Sequence, residues 1–310
     1  MQKLVEVRSR MRAVTSIGGV CRTMATVASA KLSRTRERAA GIREYTRRMR
    51  EIIGRQQRCL EAAGRRPGSI SPFLSEREVR EVLLLHVASD RGMCGGYNLA
   101  VYRVAAAFVA EAQAAGAHVR VVTKGTRGEY YVRRRLPGLD VADAAGWSRA
   151  GVTPAEVDRY HEMLTGAFLA GECDEVWCSY TRFLSPVRRE PAVVRLLPVK
   201  LGEIAGDSAL AEEPVGDAVP EHWFYEPSAE AIVTELLGEF VRLQVEDVLL
   251  EAFASEQAAR MITMEEAVER ADRTLHDLRV RYNRLRRESI TTDMLGVLYA
   301  GRLRGGRHGA

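Results

Sequence analysis

Aromatic residues make up only 6% of this 310-residue chain, and its five cysteines are odd in number and scattered. That pattern excludes a disulfide-framed fold and suits a reducing compartment. Cys173 and Cys178 have no ligand cluster nearby, which argues against a zinc site; Cys21, Cys59 and Cys94 stand alone. No apolar run reaches roughly 18 residues, so no membrane-spanning helix is expected. The N-terminal "MQKLVEVRSRMR" has no apolar core of the kind a signal peptide needs. The six histidines (86, 118, 161, 222, 276 and 308) form no H-E-x-x-H cluster, and no G-x-S-x-G elbow occurs. Glu265 and Glu266 are adjacent in a helical stretch and so point to different faces. No catalytic constellation, metal set or cofactor motif is expected.

Proline is missing from residues 1–63 and from the stretch between Pro227 and residue 303. In the first of these the apolar or small residues step by threes and fours. Leu4, Val7, Met11, Val14, Gly18, Cys21, Ala25, Ala28, Leu32, Ala39, Ile42, Met49 and Ile53 form the series. The spacing predicts one helix of roughly 55 residues, about 80 Å long, with a heptad seam. A helix with a single apolar stripe needs a partner. The second stretch supplies one: Met261, Met264, Val268, Ala271, Leu275, Leu278, Tyr282 and Leu285 repeat the alternation. Ser228, in "EPSAEAIVTELL", reads as its N-cap. Two such helices at opposite chain ends suggest an intramolecular antiparallel coiled coil, with pairing to another molecule as the alternative.

Between them the chain alternates in the α/β manner. Strands are expected at Val79–Val87, His118–Thr123, Asp174–Phe183 and Ala192–Val199, with helices at Leu99–Ala115 and Pro154–Ala170. This implies an inserted Rossmann-like α/β domain with a mainly parallel sheet. The resulting organisation is an N-terminal helix over 1–63, an α/β domain over 64–226 and a C-terminal helix over 227–303. An acidic loop near 201–222 and a basic tail at 304–310 complete it.

The run "VASDRGMCGGYNLA", Val87–Ala100, follows an apolar strand and resembles a phosphate-binding loop. The spacing refuses that reading. A P-loop needs glycine five residues after Gly92, where Tyr97 stands, and a dinucleotide loop needs one two residues after, where Cys94 stands. "KGTRG", Lys124–Gly128, fails in the same way. The glycines are expected to shape a tight strand-to-helix turn.

Charge is uneven. Residues 1–66 carry seventeen Lys/Arg against five Glu, whereas residues 201–230 contain no Lys or Arg. A basic arm suits nucleic acid, an acidic membrane surface or an acidic protein, and equally the solvated face of a helix.

Several segments together resemble the gamma subunit of F-type ATP synthase, the central-stalk rotor subunit. "SDRGMCGGYN" is similar to that family's S-D-R-G-L-C-G-G-[FY]-N signature, and "FYEPSAEAI" to its F-E-P-S segment. "FASEQAARMITMEEA" and "YNRLRRESITTDM" resemble its two C-terminal blocks, and "VRSRMRAVTSIGGVCRTMATVASAKL" its N-terminal one. The resemblance covers about two-thirds of the chain. It implies a central rotor shaft that couples ion flow, proton or sodium, to ATP synthesis or hydrolysis in the beta subunits. The chain itself is then a non-catalytic subunit without cofactor. Implied partners are the alpha and beta subunits of the head, the epsilon subunit and the membrane c-ring, with no nucleic acid and no small-molecule substrate. Membrane association would come only through the complex, peripherally, on the cytoplasmic face of a bacterial inner membrane.

Matched positions imply contact with beta at Arg22, Met24, Arg260, Arg286 and Thr291. They imply a foot-domain signature turn at Asp90, Arg91, Gly92, Gly95 and Gly96. Departures include Gly18-Gly19 inside a helix, Arg287 where glutamine is usual and a basic tail, which point to a divergent or alternative version of the complex. Gly18-Gly19 raises two readings, a local swivel or unusually close packing. The rival readings are a basic coiled-coil nucleic-acid-binding protein and an α/β enzyme using the insert.

Overall fold

A computed structural model describes residues 2–62, 67–136, 138–200 and 228–305. The expected acidic loop at 201–222 and residues 306–310 of the basic tail lie outside the described residues. The chain divides into two compact units, one of residues 28–260 and one combining 1–27 with 261–310.

The 28–260 unit is built on five strands: β1 Glu81–Val87, β2 His118–Lys124, β3 Asp140–Ala145, β4 Glu175–Phe183 and β5 Arg189–Leu197. Their order is β3-β2-β1-β4-β5. All neighbours are parallel except β4 and β5, which form an antiparallel pair. The expected mainly parallel sheet is therefore present. The middle of β1, Val82–Leu85, reads as an apolar run because both its faces are covered. Val82 and Leu84 face Ala105 and Val109 of α3 (Tyr97–Ala114) and Val132 of α4 (Thr126–Arg135). Leu83, Leu85 and Val87 face the opposite layer, with Tyr160, Leu164 and Phe168 of α5 (Pro154–Leu169). That layer also takes Met49 and Ile53 of α1 (Gln2–Ala62) and Leu237, Phe240 and Val241 of α6 (Ala229–Gly305). One short helix, α2 (Pro67–Ile70), and a 3-10 turn at Pro72–Leu74 precede β1.

Besides these two short pieces, α4 and β3 were not expected from sequence. α4 begins within "KGTRG" itself, and β3 follows it. α5 opens on a capping box: Glu156 N donates to Thr153 Oγ1 at 3.3 Å, and Thr153 N donates to Glu156 Oε2 at 3.0 Å. Ser228 caps α6, its Oγ accepting from Ala231 N at 3.1 Å.

α1 and α6 run antiparallel within this unit. Lys31 lies over the Phe253 ring, Arg38 pairs with Glu246, and Arg50 lies over Phe240, so one number climbs as the other falls. The other unit is a two-helix pair with a narrow seam. Val7, Gly18 and Ala25 are buried on α1, and Met264, Ala271, Leu275 and Leu278 on α6. A Cβ on Gly18 would stand 3.3 Å from Ala271 Cβ, whereas one on Gly19 would meet none of the described residues within 4 Å. The helix passes through both glycines unbroken, so Gly18 serves close packing rather than a swivel.

Candidate functional site

The signature turn joins β1 to α3 and is held by its own side chains. Ser89 N donates to Asn98 Oδ1 at 3.0 Å, Ser89 Oγ donates to Arg91 O at 2.7 Å, and Asn98 Nδ2 donates to Cys94 Sγ at 3.4 Å. Asp90 ties in two neighbouring segments. Its Oδ1 accepts from Thr126 N at 3.1 Å, where α4 begins, and its Oδ2 accepts from Trp147 N at 2.8 Å. Of the three glycines, Gly95 alone has a left-handed backbone (φ 59°), and Met93 shares that conformation at φ 63°. Gly96 has room for a side chain, and a Cβ on Gly92 would meet only the tip of Arg127, at 3.9 Å. Arg91 and Gly92 contribute backbone carbonyls instead, which face Arg260 of α6.

In a sheet of this order the strand sequence reverses between β1 and β4, and ligands of such folds settle outside the carboxyl ends of the strands at that reversal. Here residues 252–260 of α6 lie there. Tyr97 Oη donates to Ala252 O at 3.0 Å, and Ser255 Oγ donates to Thr181 O at 2.9 Å, near the end of β4. Ala259 packs in one cluster with Cys94 and Tyr97. Arg260 places Nη2 at 3.3 Å from Arg91 O and 3.4 Å from Gly92 O, and Nη1 at 2.6 Å from Glu256 Oε1. Glu256 and Arg260 are 5% and 9% exposed. Burial pushes the Glu256 carboxyl up in pKa, against the pull of Arg260, and burial above all drives the Tyr97 hydroxyl well above its usual range. The crevice that would admit a nucleotide is taken by the chain's own helix. Glu256, Ser255 and Tyr97 were missed in sequence; the four-residue step from Glu256 to Arg260 was the one available sign of the pair.

"KGTRG" turns out to be the place where backbones crowd. A Cβ on Gly125, at φ 100°, would come 2.3 Å from Ala88 O, and one on Gly128 would come 2.9 Å from His86 Cδ2. Lys124 is 1% exposed; its Nζ donates to Glu156 Oε1 at 2.6 Å and to Gly146 O at 2.8 Å, beneath the rings of Trp147 and Tyr160. Burial works against the Glu156 charge, but the bond from Lys124 and the cap at Thr153 bring its pKa down on balance. His86 is fully buried, with Nδ1 at 2.8 Å from Ser179 Oγ, and burial lowers its pKa to about 4. Cys94 and Cys178 are buried thiols pushed up by desolvation, and Cys173 is raised to about 11 in the same way. Among the described residues no group of acidic, histidine and cysteine side chains could hold a metal ion, and no helix is long and apolar enough to cross a membrane.

The remaining residues matched to partner contact lie in the two-helix unit. Arg22 is exposed and pairs with Asp272 across the seam at 3.6 Å. Met24 is half-buried, and Arg286 and Thr291 are exposed on α6. Arg260 differs from them: it is buried in the α/β unit with its guanidinium taken up inside the chain. Part of the basic arm is also occupied. Arg36 lies over Phe183, Arg38 pairs with Glu246, and Arg47 and Arg48 pull Glu44 down to about 2. Such engaged arginines are a poor phosphate-tracking stripe.

A family model described as "ATP synthase" matches residues 3–300. The ATP synthase gamma chain of Chlorobaculum parvum is 33% identical over 302 residues, covering 96% of this chain and 97% of the relative. That of Dehalococcoides mccartyi strain BAV1 is 30% identical, covering 96% and 98%. Among solved structures, a chain of the Euglena gracilis mitochondrial ATP synthase OSCP/F1/c-ring assembly superposes with TM-score 0.62 at 14% identity, covering 100% of this chain and 97% of that one. A chain of the Tetrahymena thermophila mitochondrial ATP synthase central stalk and c-ring gives 0.57 at 20% identity, covering 80% and 99%.

Proposed function

The chain belongs to the ATP synthase gamma-chain family, and from that membership we propose how it works as the central rotor shaft of an F-type ATP synthase. The observation that carries the reading is the match of one family along nearly the whole chain, together with a fold made of paired terminal helices and an inserted α/β unit. The shaft joins a catalytic head to a c-ring and is a peripheral part of that membrane complex. The epsilon subunit docks on the α/β unit, and the assembly faces the bacterial cytoplasm. ATP chemistry takes place in the beta subunits, and this chain acts on them by contact.

Coupling requires contacts that differ between rotational states, because a shaft that touched every state of beta equally would bias none. Arg22 suits that need. Its pair with Asp272 is exposed on both sides, at 67% and 62%, and such a pair holds its members weakly. The guanidinium can therefore leave Asp272 for a beta carboxylate in one orientation and return in the next. Arg286 supplies a second exposed cation, with Thr291 further along α6 and Met24 beside the seam. Arg260 serves inside the α/β unit instead.

Co-expression of this chain with the alpha and beta subunits of its own host tests the assignment. ATP hydrolysis should appear when all three co-purify and be lost when this chain is left out. An alpha–beta assembly that takes up this chain with no gain in hydrolysis contradicts it.

A further inference from the structure

The signature turn is rich in interactions, yet the proposed coupling uses none of them. Besides the bonds Asp90 accepts from Thr126 and Trp147, one stretch of α6 packs here, held by contacts of three kinds. Hydroxyls bond backbone carbonyls, from Tyr97 to Ala252 and from Ser255 to Thr181. A small side chain, Ala259, lets the helix sit against Cys94 and Tyr97. A buried cation, Arg260, spans from the helix to the carbonyls of Arg91 and Gly92 while Glu256 holds its other edge. Among the described residues Glu256 Oε2 has no hydrogen-bond partner, and its Oε1 accepts from Arg260 Nη1 at 2.6 Å and from Gln257 Nε2 at 3.4 Å, Arg260 being the charged donor of the two. A charged donor reaching neutral carbonyls in a buried site makes a stronger attachment than a neutral one, and removing it leaves a buried carboxylate without its ion-pair partner.

We propose that the 89–98 turn, Glu256 and Arg260 form a clamp by which the α/β unit grips α6 in the crevice between β1 and β4. Arg260 is a positioning residue that binds the turn's carbonyls, and Glu256 orients it. The clamp gives the glycine turn a task other than phosphate binding: it presents two carbonyls, from Arg91 and Gly92, to a helix of the same chain. In a rotor, load on α6 must pass into the α/β unit without slip, and this joint carries it. The proposal rests on the rotor reading above.

The test uses the whole complex in sealed vesicles and compares ions transported per ATP hydrolysed. Arg260→Gln should lower that ratio about fivefold, the factor by which loss of one modest interaction shifts an equilibrium between held and released states. Hydrolysis by the same particles should stay within about twofold of wild type, since the beta contacts are elsewhere. The double variant Arg260→Gln/Ala259→Cys adds a thiol in the cluster that holds Cys94. Assembled under oxidising conditions, the introduced thiol should form a disulfide with Cys94 and recover the ratio, and reductant added afterwards should lower it again. A ratio that stays at the wild-type value in Arg260→Gln overturns the clamp, as does a ratio in the crosslinked variant that ignores reductant. Failure of the crosslinked variant to assemble also overturns it, because the disulfide supplies the attachment assigned to the ion pair. Wild-type vesicles that hydrolyse ATP without transport would instead count against the rotor reading.

Discussion

The two units of this chain solve the same problem, holding α1 and α6, by opposite means. The 28–260 unit surrounds them with a sheet and α5, and it buries charged and polar groups such as Lys124, His86, Glu256 and Arg260 among partners. Among the described residues, the other unit offers each helix the other helix alone. Its seam is narrow and made partly of small residues, and its ion pairs on α6, such as Arg270–Glu266 and Arg284–Glu288, are exposed steps along one helix. Such pairs add only tenths of a kcal/mol each. Ile17, Val20 and Val27 of α1 remain exposed, as do Met294 and Leu295 of α6. The difference separates two jobs: one unit is built to keep its shape, and the other keeps its outer faces available to partners.

That contrast can be broken by glycine. Gly125→Ala forces a Cβ to within 2.3 Å of a carbonyl at a left-handed φ and should cost about 4 kcal/mol or more in urea unfolding of the purified chain. A loss under about 1 kcal/mol would mean the α/β unit is not close-packed there. His86 sharpens the contrast through pH. Its folded pKa of about 4 lies below its ordinary 6.5, so the unfolded chain binds the proton first as pH falls. Stability should then drop by about 3 kcal/mol between pH 6.5 and 4, and His86→Asn should flatten that part of the profile. Lys124→Met leaves Glu156 without its cation, though still capped at Thr153, and should cost about 2 kcal/mol by the same unfolding measurement. The smallest effect belongs to the helical pair. Gly19→Ala meets no neighbour and should raise its stability by up to about 1 kcal/mol. Gly18→Ala should gain less, because its Cβ crowds Ala271 at 3.3 Å.

The helical pair was legible in the sequence because a heptad seam is a local pattern; every residue of the expected N-terminal series is buried or half-buried. Four strands and two helices were legible for a similar reason, as apolar runs of strand length separated by amphipathic helical ones. α4 escaped notice because "TRGEYYVRRR" lies between glycines and carries few apolar residues. β3 escaped because "DVADAA" lacks the β-branched density of a buried strand. The turn's partners were the least legible. Arg91 and Arg260 are 169 residues apart, and no local spacing states that a helix fills the crevice between β1 and β4. The glycines misled in part for the same reason: those demanding close approach, Gly125 and Gly128, meet Ala88 and His86 from another segment.

The central claim is that this chain turns. Val187, 81% exposed in the turn between β4 and β5, gives a place for a label by Val187→Cys, with the head of the complex fixed to a surface. On adding ATP the label should rotate in one direction, in steps, at a rate that follows hydrolysis. Steady hydrolysis under a label that does not turn would contradict the account.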